Sequence, residues 1–378
     1  MRVGIFHHHF NIRGGAERVV YEIAKALDVD IIYTLFSSGG FDGIKLIDVS
    51  EYLPRWAKLY KYFHRKIISI RYILWEMIDL HEIGDFDIIL SSGETTRAII
   101  TPEDVLHVHY LHTIPRWLYD LWHYKWKRYN YRISLFLLAE FFRLVDRIID
   151  SRVDHYIVNS ELVRRRLWKY LKRDSVVIHP PIRVNKYRFK EYGDFFLHIG
   201  RISREKKVFE VVKACDLANA KLLLIGEVGD DELTLKYIKR KGKNKIEYLG
   251  YVDEDVKLEL LSNYKAVIYN PINEDFGLVL IEALASGKPV IINNTGYPSY
   301  LVKSTGIIER RGNLYICSGG IITEGNIASI IKAIKLTDRY SWDPKLIHKF
   351  AEPFDFKIFK DKLISQLKTW LDEFKVLP

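Results

Sequence analysis

Two glutamates with seven residues between them bracket a glycine in Asn273-Glu274-Asp275-Phe276-Gly277-Leu278-Val279-Leu280-Ile281-Glu282. The apolar run after Gly277 has helical spacing, so Gly277 is expected to open a helix and leave its own N–H and that of Leu278 free to donate. Glu282 then lies about one turn in, among Val279, Leu280, Ala283 and Leu284. A carboxylate in such surroundings is costly without a partner. A ribose diol supplies one, and so does a buried ion pair. A second constellation is His198-Ile199-Gly200-Arg201 followed by Lys206. A guanidinium fork and an ammonium above a strand end suit a diphosphate, although Arg204 and Lys207 also allow a solvated basic loop. A third is Gly14-Gly15-Ala16-Glu17-Arg18. Glycines at a helix N-terminus let phosphate approach backbone N–H groups, but taken alone the same residues read more readily as a plain turn. His7-His8-His9 invites a metal reading, with His7 and His9 on one strand face. No acidic or thiol ligand stands near them in the sequence, so no metal site is expected there.

These groups need elements to hold them. Strands are expected at Val3 to Phe6, Asp30 to Tyr33, Asp87 to Leu90, Val105 to Tyr110 and His155 to Val158. A second series follows at Phe195 to Ile199, Lys221 to Ile225, Ile246 to Tyr248, Ala266 to Tyr269 and Pro289 to Ile292. Helical patterns lie between them, including Ala16 to Leu27, Val208 to Leu217, Glu232 to Lys239, Asp253 to Leu261 and Gly277 to Ala285. Such alternation predicts parallel sheets covered by helices on both faces, with ligands at the strand carboxyl ends. His179-Pro180-Pro181 excludes helix and forms the connector. The expected organisation is an N-terminal Rossmann-like domain at residues 1–181 and a C-terminal one at 182–353. A final helix at 354–378, with Phe359, Leu363, Leu367 and Trp370 on one face, is expected to return to the first domain.

The Glu-(seven residues)-Glu segment resembles the signature of retaining glycosyltransferases of family 4, which have the GT-B fold: two doubly wound α/β domains facing across a cleft. The Gly14-Gly15-Ala16-Glu17-Arg18 stretch and the Arg201-x4-Lys206 motif fall where that family has its own, and the likeness spans roughly residues 1 to 300. His109-Tyr110-Leu111-His112-Thr113-Ile114-Pro115-Arg116-Trp117, Tyr156-Ile157-Val158-Asn159-Ser160 and Val177-Ile178-His179-Pro180-Pro181 are similar to a mannosyltransferase-like branch. The resemblance implies that Arg201 and Lys206 hold the donor diphosphate and that Gly14 and Gly15 form a phosphate-facing loop. It implies that Glu274 contacts the transferred sugar, helped by backbone N–H groups around Phe276, Gly277 and Leu278. Glu282 would bind the ribose and His112 would reach the donor sugar beside the reacting centre. Arg116 is a candidate acceptor or phosphate contact.

The implied chemistry is transfer of a hexose, mannose from GDP-mannose, to a glycan or lipid-linked acceptor with retention of configuration. The leaving diphosphate would help deprotonate the acceptor hydroxyl. No metal and no cofactor are expected. A UDP-sugar such as UDP-glucose is the alternative donor. Two departures stand out. Lys207 occupies a position that is usually glycine, and Thr295-Gly296-Tyr297-Pro298-Ser299-Tyr300 replaces the Gly-Gly-x-x-Glu that usually follows the main motif.

The bulk composition is consistent with two soluble domains: 378 residues, 48% hydrophobic, and 58 Lys and Arg against 48 Asp and Glu, a net charge of +10. That charge favours an anionic partner: nucleotide-sugar, acidic membrane surface or nucleic acid. A nucleic-acid-binding protein remains an alternative on charge alone, and so do a sugar-nucleotide epimerase or hydrolase and a sugar-binding module without catalysis. Residues 55 to 75 hold six Lys or Arg, no Asp or Glu, and Trp56, Leu59, Tyr60, Phe63, Ile67, Ile70 and Leu74 at helical spacing. Residues 116 to 147 add Trp117, Trp122 and Trp126. Both stretches read as faces for an anionic membrane, or as ordinary amphipathic helices with solvated basic faces. No uncharged apolar run reaches membrane-spanning length, and MRVGIF lacks a signal-peptide pattern. Two widely separated cysteines, Cys215 and Cys317, argue against a disulfide framework. A cytoplasmic protein is expected, peripherally membrane-associated on the first of these two readings.

Overall fold

The structure, a computed structural model, describes residues 1–10, 14–37, 40–41, 43–58, 68–128, 132–241 and 245–376. Asn11 to Arg13 of the glycine turn, and Leu59, Tyr60, Phe63 and Ile67 of the basic stretch, lie outside the described residues. The chain forms two compact units, Met1–Pro181 with Lys357–Pro378, and Ile182–Phe356.

The first unit is built on β1 (Val3–His7), β2 (Ile31–Thr34), β3 (Gly40–Phe41), β4 (Ile44–Asp48), β5 (Ile88–Ser92), β6 (Leu106–Leu111), β7 (His155–Val158) and β8 (Val176–Val177). Their order is β3-β4-β2-β1-β5-β6-β7-β8, parallel except for β3 against β4. The central strands are buried along nearly their whole length, as a sheet covered on both faces requires. The helix Gly15–Leu27 lays Val19, Val20, Ile23 and Ala24 into the interior and ends on Asp28, whose φ is 55°. The long helix Phe356–Val376 buries Phe359, Leu363, Leu367 and Trp370. Trp370 stacks on His155 of β7 at 4.4 Å between centroids, and Lys375 lies 3.7 Å from Asp87, so this helix packs on the first unit.

The second unit contains β9 (Phe195–Ile199), β10 (Lys221–Ile225), β11 (Ile246–Gly250), β12 (Val267–Tyr269), β13 (Val290–Asn293), β14 (Ile307–Arg311), β15 (Leu314–Cys317) and β16 (Gly320–Thr323). The order is β11-β10-β9-β12-β13-β16-β15-β14. It is parallel up to β16, and β16, β15 and β14 pair antiparallel. A core of Val208, Val211, Val212, Leu222, Leu224, Ile268 and Ile321 holds it together.

The aromatic stretch after Arg116 follows the second of its two readings, an ordinary packed one. Trp117 and Trp126 pack around Trp122, Leu118, Ala139 and Phe142, so these indoles form a small core instead of a membrane face. What faces solvent is the helix Ile133–Asp150. Its Ile133, Leu137, Phe141, Leu144 and Ile148, at intervals of four, four, three and four, are each 52–77% exposed. Among the described residues no helix is long and apolar enough to cross a membrane.

Candidate active site

In a parallel sheet the crevice for ligands opens where the winding reverses, outside the carboxyl ends of the two strands concerned. In the second unit those strands are β9 and β12. β9 runs out through Gly200 into Arg201, which is exposed and makes no ion pair among the described residues. A single 3-10 turn, Arg204–Lys206, follows. There the Lys206 ammonium donates to Glu274 Oε2 at 2.7 Å and to the Tyr269 hydroxyl at 3.2 Å. Burial alone would lower the Lys206 pKa, but Glu274 and Tyr269 together hold it above the usual lysine range. The side chains of Lys206 and Glu274 keep 24% and 21% of their surface, so the pair is reachable from solvent.

The backbone of Glu274 is held from one side by the stretch that departs from the family pattern. Thr295 Oγ1 accepts from Asn273 N–H at 3.2 Å, and Glu274 C=O accepts from Tyr297 N–H at 2.9 Å. A Cβ placed on Gly296 would lie 2.4 Å from Glu274 N and 2.6 Å from Glu274 O. Behind this contact Asn293 accepts from Thr295 and donates to the Asn270 side chain and the Pro271 carbonyl. The missing Gly-Gly-x-x-Glu is thus replaced here by a brace for Glu274.

Gly277, with φ at 89°, caps the helix Leu278–Ala285, and Pro298 stands 3.1 Å from where its Cβ would be. Phe276 is buried, stacked on Tyr297, so its side chain belongs to the core and only its backbone can meet a ligand. Leu278 is half-buried in the first turn. Glu282 is 2% exposed. Its Oε1 accepts from the Tyr187 hydroxyl at 3.0 Å and from Lys257 Nζ at 3.1 Å, and Lys257 also meets Glu254 at 2.8 Å. The carboxylate therefore has protein partners of its own.

The first unit carries the remaining candidates. Gly14 caps the helix Gly15–Leu27 in an extended conformation, with no side-chain cap. The Glu17 carboxylate folds back so that Oε2 lies 2.6 Å from where a Gly14 Cβ would be. Gly14 thus clears space for Glu17 at the very helix end expected to face phosphate. His112 follows β6; its Nε2 pairs with Ser92 Oγ at 2.8 Å, and its carbonyl accepts from Asn159. Burial lowers its pKa to about 4, so at neutral pH it is an uncharged hydrogen-bonding group. Arg116 forks onto Asp120 at 2.9–3.3 Å, and Arg166 shares that carboxylate.

The structure brings Lys206, Glu274 and Tyr269 together, and it sets Glu282 apart with Tyr187 and Lys257. Gly14, Gly15, His112 and Arg116 belong to the other compact unit. Tyr187, Lys257, Asn270 and Asn293 escaped the sequence reading, and Glu17 stood in its motif without a role. Polar residues at the ends of apolar strands, such as Asn270 and Asn293, were the available signal.

Two family models match consecutive stretches of this chain. Glycosyltransferase Family 4 matches residues 13–186, and Glycosyl transferases group 1 matches residues 181–337. The chain belongs to glycosyltransferase family 4. Among curated relatives, the alpha-1,3/1,6-mannosyltransferase ALG2 of Saccharomyces cerevisiae is 27% identical over 43% of this chain and 43% of its own length. The O-antigen chain mannosyltransferase RfbU of Salmonella typhimurium is 27% identical over 42% of this chain and 47% of its own. The matched part thus spans less than half the length of these curated relatives. Among solved structures, Anabaena HepE in complex with UDP and glucose superposes with a TM-score of 0.69 at 17% identity, over 98% of this chain and all of that one. That likeness establishes the GT-B fold for this family 4 chain.

Proposed function

We propose that this chain transfers a hexose, mannose from GDP-mannose, to a glycan or lipid-linked acceptor with retention of configuration. The observation that carries the reading is the Lys206–Glu274 pair at the β9/β12 reversal. A nucleotide-sugar has the complementary halves: phosphates for Lys206 and the exposed Arg201, and sugar hydroxyls for Glu274. Glu282, oriented by Tyr187 and Lys257, is assigned the ribose. The backbone of Gly277 and Leu278 at the helix start is assigned to the sugar hydroxyls. Gly14, Gly15 and His112 take their roles from the family motifs they match. Mannosyltransferases among the relatives support mannose as the sugar; a UDP-sugar is the second reading, supported by the nucleotide bound to HepE.

Arg201 and Lys206 stabilise charge that grows on the leaving diphosphate, which is where fixed cations act most strongly on a rate. That diphosphate in turn accepts the proton of the acceptor hydroxyl, so the step needs neither a metal nor a protein base. A thermal-shift series with GDP, UDP and ADP sugars tests the reading. GDP-mannose should raise the melting temperature most. Stabilisation by UDP-sugars alone would overturn the mannosyl assignment, and stabilisation by none would overturn the donor site.

The exposed stripe on Ile133–Asp150 supports a peripheral membrane location, because soluble proteins rarely expose contiguous apolar area on this scale. Exposed Lys127, Arg132 and Arg147 lie at or beside the helix, which suits anionic headgroups. Leu137→Glu with Phe141→Glu should abolish co-sedimentation with anionic vesicles while leaving the fold intact. Equal vesicle binding by wild type and variant would refute the membrane face, as would loss of self-association instead.

A further inference from the structure

The winding of the first sheet reverses between β1 and β5, so its own crevice opens beyond His7 and Ser92. His7 is fully buried there, and among the described residues its ring nitrogens have no hydrogen-bond partner of good geometry, the Ser92 backbone being the group that comes nearest to one. His8 Nδ1 is buried and has no hydrogen-bond partner among the described residues. The two rings lie 4.4 Å apart between centroids. Buried polar atoms in native proteins are almost always satisfied, and a group of orphans gathered at one place calls for a missing partner. The Glu17 carboxylate reaches the same place from the first turn of Gly15–Leu27. One ligand atom each from His7, His8 and Glu17 lie within 4.8 Å of one another.

We propose that His7, His8 and Glu17 bind a divalent transition ion of the zinc class. Two imidazole nitrogens and one carboxylate oxygen are a donor set that zinc accepts, with a fourth position left for water or a substrate oxygen. Magnesium and calcium prefer oxygen-only sites. The place is also built to admit these side chains. A Cβ on Gly93 would stand 1.6 Å from His8 Nδ1, and one on Gly14 would stand 2.6 Å from Glu17 Oε2. Sequence spacing pairs His7 with His9 and finds no acid nearby. The fold ends β1 at His7, joins His7 to His8 and brings the acid from the next helix. An ion here would tie the strand end to the first helical turn and set two positive charges beside Gly14. The transfer reaction proposed above does not require it, so the two readings stand or fall separately.

The test uses the purified full chain, stripped with chelator, and zinc ion alone as the probe. Calorimetry should give one tight site per chain and a rise in melting temperature, with neither produced by magnesium or calcium. Cobalt(II) should give the visible absorption of a four-coordinate site. His8→Asn and Glu17→Gln avoid the fully buried His7, and their unfolding curves without metal report whether they fold. Each should weaken zinc binding by more than the about 10-fold that loss of an outer-shell partner costs. Absence of a one-to-one site, or binding that both variants leave unchanged, would overturn the proposal.

Discussion

Replacing Gly296 by alanine tests whether the Thr295–Tyr300 stretch holds Glu274, the glutamate proposed to meet the sugar. The φ of Gly296 is 73°, and the new Cβ would lie 2.4 Å from Glu274 N and 2.6 Å from Glu274 O. A left-handed conformation costs a side-chain-bearing residue about 1–2 kcal/mol. Overpacking against backbone that cannot swing aside adds about 1–3 kcal/mol. The second unit should therefore lose about 3 kcal/mol, or about 6–12 °C of melting temperature. The clash falls on the backbone of Glu274, so the contact with Lys206 should be lost as well. Donor affinity measured by calorimetry should fall about tenfold, the equivalent of about 1.4 kcal/mol. Two further variants separate strain from collision. Gly312→Ala has φ at 59° and open space around its Cβ, so it should cost only the first contribution and leave donor binding alone. Gly296→Asn tolerates the left-handed region but brings the same Cβ, so it should fail as alanine does. If asparagine restores donor binding, or if alanine behaves like Gly312→Ala, the brace is not what positions Glu274.

Other perturbations have outcomes as definite. Lys206→Ala should lower kcat/KM by about 10²–10³, the usual effect of removing a donor to developing charge, and a fall of less than tenfold would remove Lys206 from the reaction. Tyr187→Phe deletes one of the hydrogen bonds seen on Glu282 Oε1 and should cost about 1–3 kcal/mol in urea unfolding; no change would mean that the remaining partners of Glu282, Lys257 among them, suffice. Burial lowers the pKa values of His107 and His198 to about 4. Above the unfolded value of about 6.5 both states are uncharged at these rings. As pH falls below it, only the unfolded chain gains protons, so stability is lost from pH 6.5 down through pH 4. Each ring should remove about 2 kcal/mol by pH 5, and an unfolding midpoint that stays level between pH 7 and pH 5 would contradict their burial.

What the sequence disclosed depended on how local the signal was. Strands buried on both faces, such as Leu222-Leu223-Leu224 in β10, are short unbroken apolar runs and were read within a residue or two. The antiparallel strands β14, β15 and β16 were missed. β14 is Ile-Ile-Glu-Arg-Arg and largely exposed, so no apolar period marks it. Among the site residues, Lys206 and Glu274 were legible because their motifs are contiguous. Their contact was not, since it joins loops 68 residues apart. The same holds for Asn270 with Asn293 and for Tyr187 with Glu282, whose pairing only the sheet order creates. The tryptophans left two readings open because an aromatic face looks alike in sequence whether it meets lipid or another helix. Here Trp122 meets Trp126 and Phe142, and the aliphatic side chains of Ile133–Asp150 are the ones left outside.

The 2.7 Å contact between Lys206 and Glu274 also bears on how the empty protein treats small anions. The ammonium already has a carboxylate in hand, so an incoming anion does not fill a vacancy; it must outcompete a tethered rival. Chloride, acetate or a lone sugar acid brings no more charge than Glu274 does and suffers the entropy of capture besides. On the proposed function, a diphosphate brings more charge, finds Arg201 as a second cation, and frees the glutamate for the hydroxyls of the sugar that arrives with it. Discrimination against the common monovalent anions of a cell would then arise from exchange, before any pocket has read the sugar or the base.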